Sequence, residues 1–91
     1  MYEWDEEKNR QNEIKHGLNF EDVDVVFDGP CLTFQDTRQK YDEERFITIG
    51  FLDERMVVIA HTPRSEKTRV ISMRKANSRE QKTYQKRFEA S

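Results

Sequence analysis

Ninety-one residues make one domain with room for only a thin core: hydrophobic residues are 34% and charged residues 37%, against about 25% charged in an ordinary globular chain. The longest purely apolar run, Met56–Ala60, excludes a membrane-spanning helix, and the acidic, polar start is unlike a secretory leader. One cysteine, Cys31, excludes an internal disulfide and a zinc site built on several thiolates, and the chain reads as cytoplasmic.

The net charge of −2 hides a gradient. Residues 1–30 are net −6, residues 31–61 net −2 and residues 62–91 net +6. The basic end suits a polyanion or an acidic partner. It is equally suited to neutralising the acidic end within the fold.

The first predicted element is a helix. Asp5 is placed to cap it, Glu6 and Glu7 suit the positive end of its dipole, and Lys15-His16-Gly17 closes it with a glycine fit for the left-handed cap. Ile14 is its only strong hydrophobe, whereas Asp5, Asn9, Asn12 and His16 recur on one stripe. Such a stripe packs only if its amides find hydrogen-bond partners. His16 reads as part of the cap, and Trp4 as an anchor with a buried ring and a bonded N–H.

A second helix is expected from Asn19 as cap, with Phe20, Val23, Val26 and Phe27 on its apolar stripe and Asp28-Gly29-Pro30 ending it. The period then changes to two. Strands are predicted at Leu32–Gln35, Arg45–Leu52, Met56–Thr62 and Thr68–Lys75, with Arg38–Glu44 a polar turn. Cys31, at a strand start, reads as a small buried hydrophobe. A last helix is predicted from a Ser78/Gln81 capping box, docked through Tyr84 and Phe88. The fold class is α+β: two N-terminal helices, an antiparallel sheet of about four strands and a C-terminal helix, in a single domain over 1–91.

Little of the usual site chemistry is present. His16 and His61 are far apart, no HExxH, calcium loop or phosphate-binding glycine loop occurs, and neither a metal nor another cofactor is expected. Arginine does concentrate: Arg45 opens a strand, Arg64 lies in a loop and Arg74 ends the last strand. Guanidinium forks match phosphate. RNA is cut without metal when its 2′-OH attacks the adjacent phosphate, given a proton acceptor, a proton donor and cations at the phosphate. Arg64 and Arg74 are the candidate cations; His61, Glu44 and Tyr84 are the candidate proton-transfer groups. Each arginine has an ordinary alternative as a surface ion pair.

Several blocks in order then resemble one family. Trp4-Asp5, Lys8-Asn9, Asn12, Lys15-His16-Gly17, Phe20 and Val26-Phe27 are similar to the N-terminal signature of BrnT toxins. Glu43-Glu44-Arg45, Ile49-Gly50, Val57-Val58, Thr62-Pro63-Arg64, Arg69 to Ala76, Arg79-Glu80 and Tyr84 continue it. The resemblance implies a RelE-like ribonuclease fold and a toxin of a bacterial type II toxin–antitoxin module, cleaving RNA and inhibiting translation. It implies a BrnA-like ribbon-helix-helix antitoxin as partner, operator DNA contacted only through that antitoxin, and either a homodimer or an assembly of two toxins with two antitoxins. The expected catalytic residues are Arg64, Arg74, Glu44 and Tyr84. The expected RNA-binding residues are Lys8, Lys15, Arg45, Arg69, Lys75 and Arg79. The alternative reading is a non-catalytic module that acts as co-repressor with a DNA-binding partner.

Overall fold

A computed structural model describes residues 1–38 and 40–89; Gln39, inside the predicted polar turn, and Ala90-Ser91 lie outside the described residues. The elements are β1 (Tyr2–Glu3), α1 (Glu6–His16), a 3₁₀ turn (Phe20–Asp22), α2 (Val23–Asp28), β2 (Leu32–Gln35), β3 (Phe46–Leu52), β4 (Arg55–Arg64), β5 (Lys67–Lys75) and α3 (Ser78–Glu89). The mixed α+β class is as the sequence indicates. The sheet has five strands rather than about four, in the order β1-β5-β4-β3-β2. The additional strand is two residues long, too short to show a period, and it runs parallel to β5 while the other pairs are antiparallel.

The chain enters α1 as its caps dictate. Asp5 accepts from the N–H groups of Glu7 and Lys8, and Gly17 takes the left-handed conformation (φ 70°) while its N–H reaches the Glu13 carbonyl. The polar stripe of α1 is bonded throughout its buried part. Asn9 Nδ2 donates to Asn19 Oδ1 at 3.1 Å, and Asn9 Oδ1 accepts from Phe20 N–H at 2.8 Å. Asn12 Nδ2 donates to the carbonyls of Met73 (2.9 Å) and Leu18 (3.1 Å), and its Oδ1 accepts from Met73 N–H. Beyond the reach of β1, the Asn12 amide thus occupies the edge of β5 as a neighbouring strand would.

The expected second helix divides into the 3₁₀ turn, capped by Asn19, and the short α2. Its stripe is buried as predicted, with Phe20, Val23 and Val26 packing on Val57, Ile59, Val70 and Met73. Gly50 permits this approach: a Cβ there would lie 2.7 Å from Val26 Cγ1 and 3.2 Å from the Cys31 Cβ. Cys31 is half-buried, and Trp4 is half-buried too, its N–H bonded to Glu6 and its ring edge-on to Phe20. The β3–β4 hairpin turns through Asp53 and Glu54, both at positive φ, in the sense that matches strand twist.

The opposite sheet face carries a second, smaller cluster of Ile47, Ile49, Met56, Val58 and Ala76, covered by Phe51, Tyr84 and Phe88. The cap of α3 lies one residue earlier than predicted. Asn77 Oδ1 accepts from Glu80 N–H and Glu80 Oε1 accepts from Asn77 N–H, a reciprocal box.

Replacing Asn12 by Leu leaves the Met73 N–H and C=O unpaired on a buried edge, each at about 1–3 kcal/mol. The expected loss in denaturant-induced unfolding is about 3 kcal/mol; a change below about 0.5 kcal/mol contradicts the role given to this amide.

Candidate functional site

Two arginines, Arg38 and Arg74, meet on the α3 face of the sheet. Arg74 stands opposite Val58 in the β4–β5 register, so it projects on the same side as Ile47, Ile49 and Val58. These three apolar residues form the floor of a pocket of about 290 Å³. Its walls are Phe34 of β2, the segment Gln35–Arg38 after it, Arg74 of β5, and Glu80 and Tyr84 of α3. The Phe34 and Tyr84 rings stack across it at 5.9 Å, inclined by only 10°.

Two guanidinium–carboxylate forks face this pocket. Arg74 Nη1 and Nη2 each donate to one Glu80 oxygen at 2.8 Å, and Nη1 also donates to the Lys75 carbonyl. The Glu80 carboxyl is held below its ordinary range, first by this Arg74 bond, against the cost of burial. Arg74 is shifted up, again first through Glu80, with the charge of Arg38 opposing. On the other wall, Arg38 Nε and Nη2 donate to the two oxygens of Asp36 at 2.9 Å each. Asp36 also accepts from Arg38 N–H and from the Tyr41 hydroxyl. Its carboxyl is held far below its ordinary range, first by the Arg38 side chain, then by these other donors despite burial. The Asp36 side chain is only 3% exposed, whereas that of Arg38 is 73% exposed.

Of the residues expected to be catalytic, Arg74 and Tyr84 share this pocket. Arg64 lies on the same sheet face but six residues along β4 from Val58, about 20 Å away at 3.3 Å per residue. Glu44 is exposed and lines a second, larger hollow of about 540 Å³ formed by the loop between β2 and β3, together with Arg45 and Tyr41. Arg45 lies 4.3 Å over the Tyr41 ring, and the Glu44 carbonyl accepts from Thr62 Oγ1.

The expected RNA-binding residues are spread over the surface. Lys8 and Lys15 border a groove between α1 and β5 with His16, Ile71 and Ser72. Arg69 pairs with Glu3 at 3.0 Å, joining the basic end to the acidic one. Lys75 and Arg79 are exposed next to Arg74 and Glu80 in sequence. Arg38, Asp36, Glu80 and Phe34 were not singled out by the sequence. The signals for Glu80 are its place in the Arg79-Glu80 block and its spacing of three from Asn77, which fits a capping box. Arg38 opens the predicted polar turn and Asp36 lies just before it, where no periodicity speaks.

His61 belongs to neither hollow. It is buried on the α2 side of the sheet, its Nε2 2.7 Å from Thr48 Oγ1, between Phe27 and Phe46. Burial pushes its pKa down to about 4. Among the described residues, no group of three or more His, Cys, Asp or Glu side chains is placed to hold a metal ion.

Residues 4–80 match the profile of a protein family described as "Ribonuclease toxin, BrnT, of type II toxin-antitoxin system". A search of curated proteins finds none that matches the chain.

The buried imidazole has a thermodynamic signature. It stays neutral in the fold down to about pH 4, while an unfolded histidine takes up a proton near pH 6.5, so stability is present above that value and falls as pH drops below it. Between pH 7 and 5 the expected loss is about 2 kcal/mol. Carboxylates contribute little in that window, so unfolding curves of His61→Gln lose this slope. Equal slopes in variant and parent contradict the assignment.

Proposed function

The chain belongs to the BrnT family of ribonuclease toxins of type II toxin–antitoxin systems, and on that premise we propose that it is a metal-independent endoribonuclease whose cleavage of RNA inhibits translation in the cytoplasm. The observation that carries this reading is the presence of Arg74, Glu80 and Tyr84 around one pocket. In the proposed reaction the RNA 2′-oxygen attacks the adjacent phosphorus and the bond to the 5′-oxygen breaks. The products are a 2′,3′-cyclic phosphate and a 5′-hydroxyl end. Arg74 stabilises the charge that gathers on the phosphoryl oxygens. The Tyr84 phenol donates a proton to the leaving 5′-oxygen. The carboxylate beside them, Glu80, has both oxygens on Arg74 and one also on the Asn77 N–H, so it orients the cation, and the 2′-OH proton passes to water. The Arg74 bond holds the Glu80 carboxyl below its ordinary range, which suits anchoring rather than proton acceptance. Arg64, Arg45 and Arg79 extend the path of the RNA backbone, whereas Lys75, opposite Val57, projects to the other face of the sheet.

The partner we propose is a BrnA-like antitoxin of ribbon-helix-helix type that places acidic or apolar groups over the pocket and carries the module to operator DNA. Two toxins with two antitoxins is the assembly that fits such a dimeric partner.

A second reading has its own observation. Both pocket arginines are paired with carboxylates, so the pocket is neutral overall, as suits a co-repressor that docks without chemistry. The Tyr84→Phe variant separates the two. It keeps the ring stack and removes the proton, and it is expected to lower the single-turnover rate of RNA cleavage at least 100-fold with RNA affinity unchanged. Addition of a chelator leaves the rate of the parent unchanged. Full activity of Tyr84→Phe, or intact RNA in the presence of folded parent protein, contradicts the enzymatic assignment.

A further inference from the structure

Arg38 is the least expected occupant of the pocket. It follows β2 in a segment without regular structure, and most of its side chain is open to water. A free arginine at such a place samples many rotamers. This one is fixed by a buried carboxylate through two bonds of 2.9 Å, and that carboxylate is itself fixed by the Tyr41 hydroxyl, while the Asp36 N–H is bonded to the Arg45 carbonyl. The arrangement holds the guanidinium in one orientation without covering it.

A count of donors shows what remains. A guanidinium has five N–H groups in a planar fork. Asp36 takes the Nε proton of Arg38 and one Nη2 proton, which leaves three. Glu80 and the Lys75 carbonyl take both Nη1 protons of Arg74 and one Nη2 proton, which leaves two. Among the described residues, these five donors have no protein acceptor, and both side chains line the same pocket. A tetrahedral anion with several acceptor oxygens uses donors from two sides. A planar carboxylate is already supplied to each arginine by the protein.

We propose that Arg38 and Arg74 form a two-sided clamp for one phosphate of an RNA backbone, with Asp36 as the positioning residue of Arg38. This deepens the ribonuclease reading and rests on it for the identity of the ligand. Arg38 then replaces Arg64 as the second cation at the reacting phosphate.

The test uses a single-stranded RNA oligonucleotide in which 2′-deoxy substitution prevents cleavage, titrated by fluorescence anisotropy at several salt concentrations. Arg38→Ala is checked for folding by circular dichroism beside Arg38→Gln, which keeps a donor to the buried Asp36 carboxylate. Arg38→Ala is expected to raise the Kd about tenfold at low salt and to reduce the slope of log K against log salt by about 0.7, the value for one phosphate contact on a single strand. Arg38→Lys restores the slope but not the affinity, since it keeps the charge and loses the fork. Combining Arg38→Ala with Arg74→Ala gives a loss different from the product of the two single effects, because both groups hold one phosphate.

Asp36→Asn weakens binding in the parent and has no further effect in the Arg38→Ala background. An equal loss in both backgrounds overturns the positioning role. An unchanged Kd and slope for Arg38→Ala, independent effects of the two arginines, or no binding by the parent overturns the clamp. Arg38-dependent binding by a protein that leaves unmodified RNA intact upholds the clamp and defeats the nuclease assignment, so the two failures are told apart.

Discussion

The fork between Arg74 and Glu80 is the constraint on which the proposed site depends. Helix α3 buries no residue fully, and its polar sequence gives it little hydrophobic reason to stay on the sheet. Glu80 supplies another. Its carboxylate closes the helix N-terminus on Asn77 and at the same time grips Arg74 of β5. Gln81 adds a bond to the Ala76 carbonyl, and Tyr84 and Phe88 rest on the second cluster. The side chain that orients the cation also fixes the helix that brings Tyr84 across the pocket from Phe34. An ion pair of this kind, half-exposed, contributes little to stability by itself. Its value lies in setting geometry.

The same device appears on the opposite wall with Asp36 and Arg38. The sequence carries a strongly basic last third, and two of its five arginines are directed by carboxylates. Arg69 is paired with Glu3, Arg74 with Glu80 and, from the middle of the chain, Arg38 with Asp36. A pocket neutral in this way attracts polyanions weakly at long range. It instead presents oriented donors at short range, which favours a phosphate seated in the pocket over one passing along the surface.

Much of the architecture was legible because local signals agreed with tertiary packing. Asp5 and Gly17 bracket α1 by rules that act within a few residues, and the alternation of Ile47 and Ile49 or the stripe of Phe20, Val23 and Val26 follows from one buried face. The polar stripe of α1 was legible as a demand for partners, but not which partners; Asn12 meets Met73 across 61 positions of sequence. The strand β1 escaped because two residues carry no period. At the site, chemistry pointed to Arg74 and Tyr84, whereas proximity in the fold depends on register. Six residues of β4 separate the level of Arg64 from that of Arg74, and no composition argument contains that distance. Arg38 and Asp36 escaped because a polar turn looks the same whether its charges are solvated or aimed.

Phosphate is expected to engage a pair of guanidiniums on the α3 face and no other basic group to the same degree. Side-chain Nε–H resonances of the arginines, followed by NMR during titration with an uncleavable RNA dinucleotide, report this directly. Saturating shifts at Arg38 and Arg74 with one shared midpoint, and no saturating shift at Arg64, are the result expected. Saturation at Arg64 while Arg74 stays unmoved contradicts it.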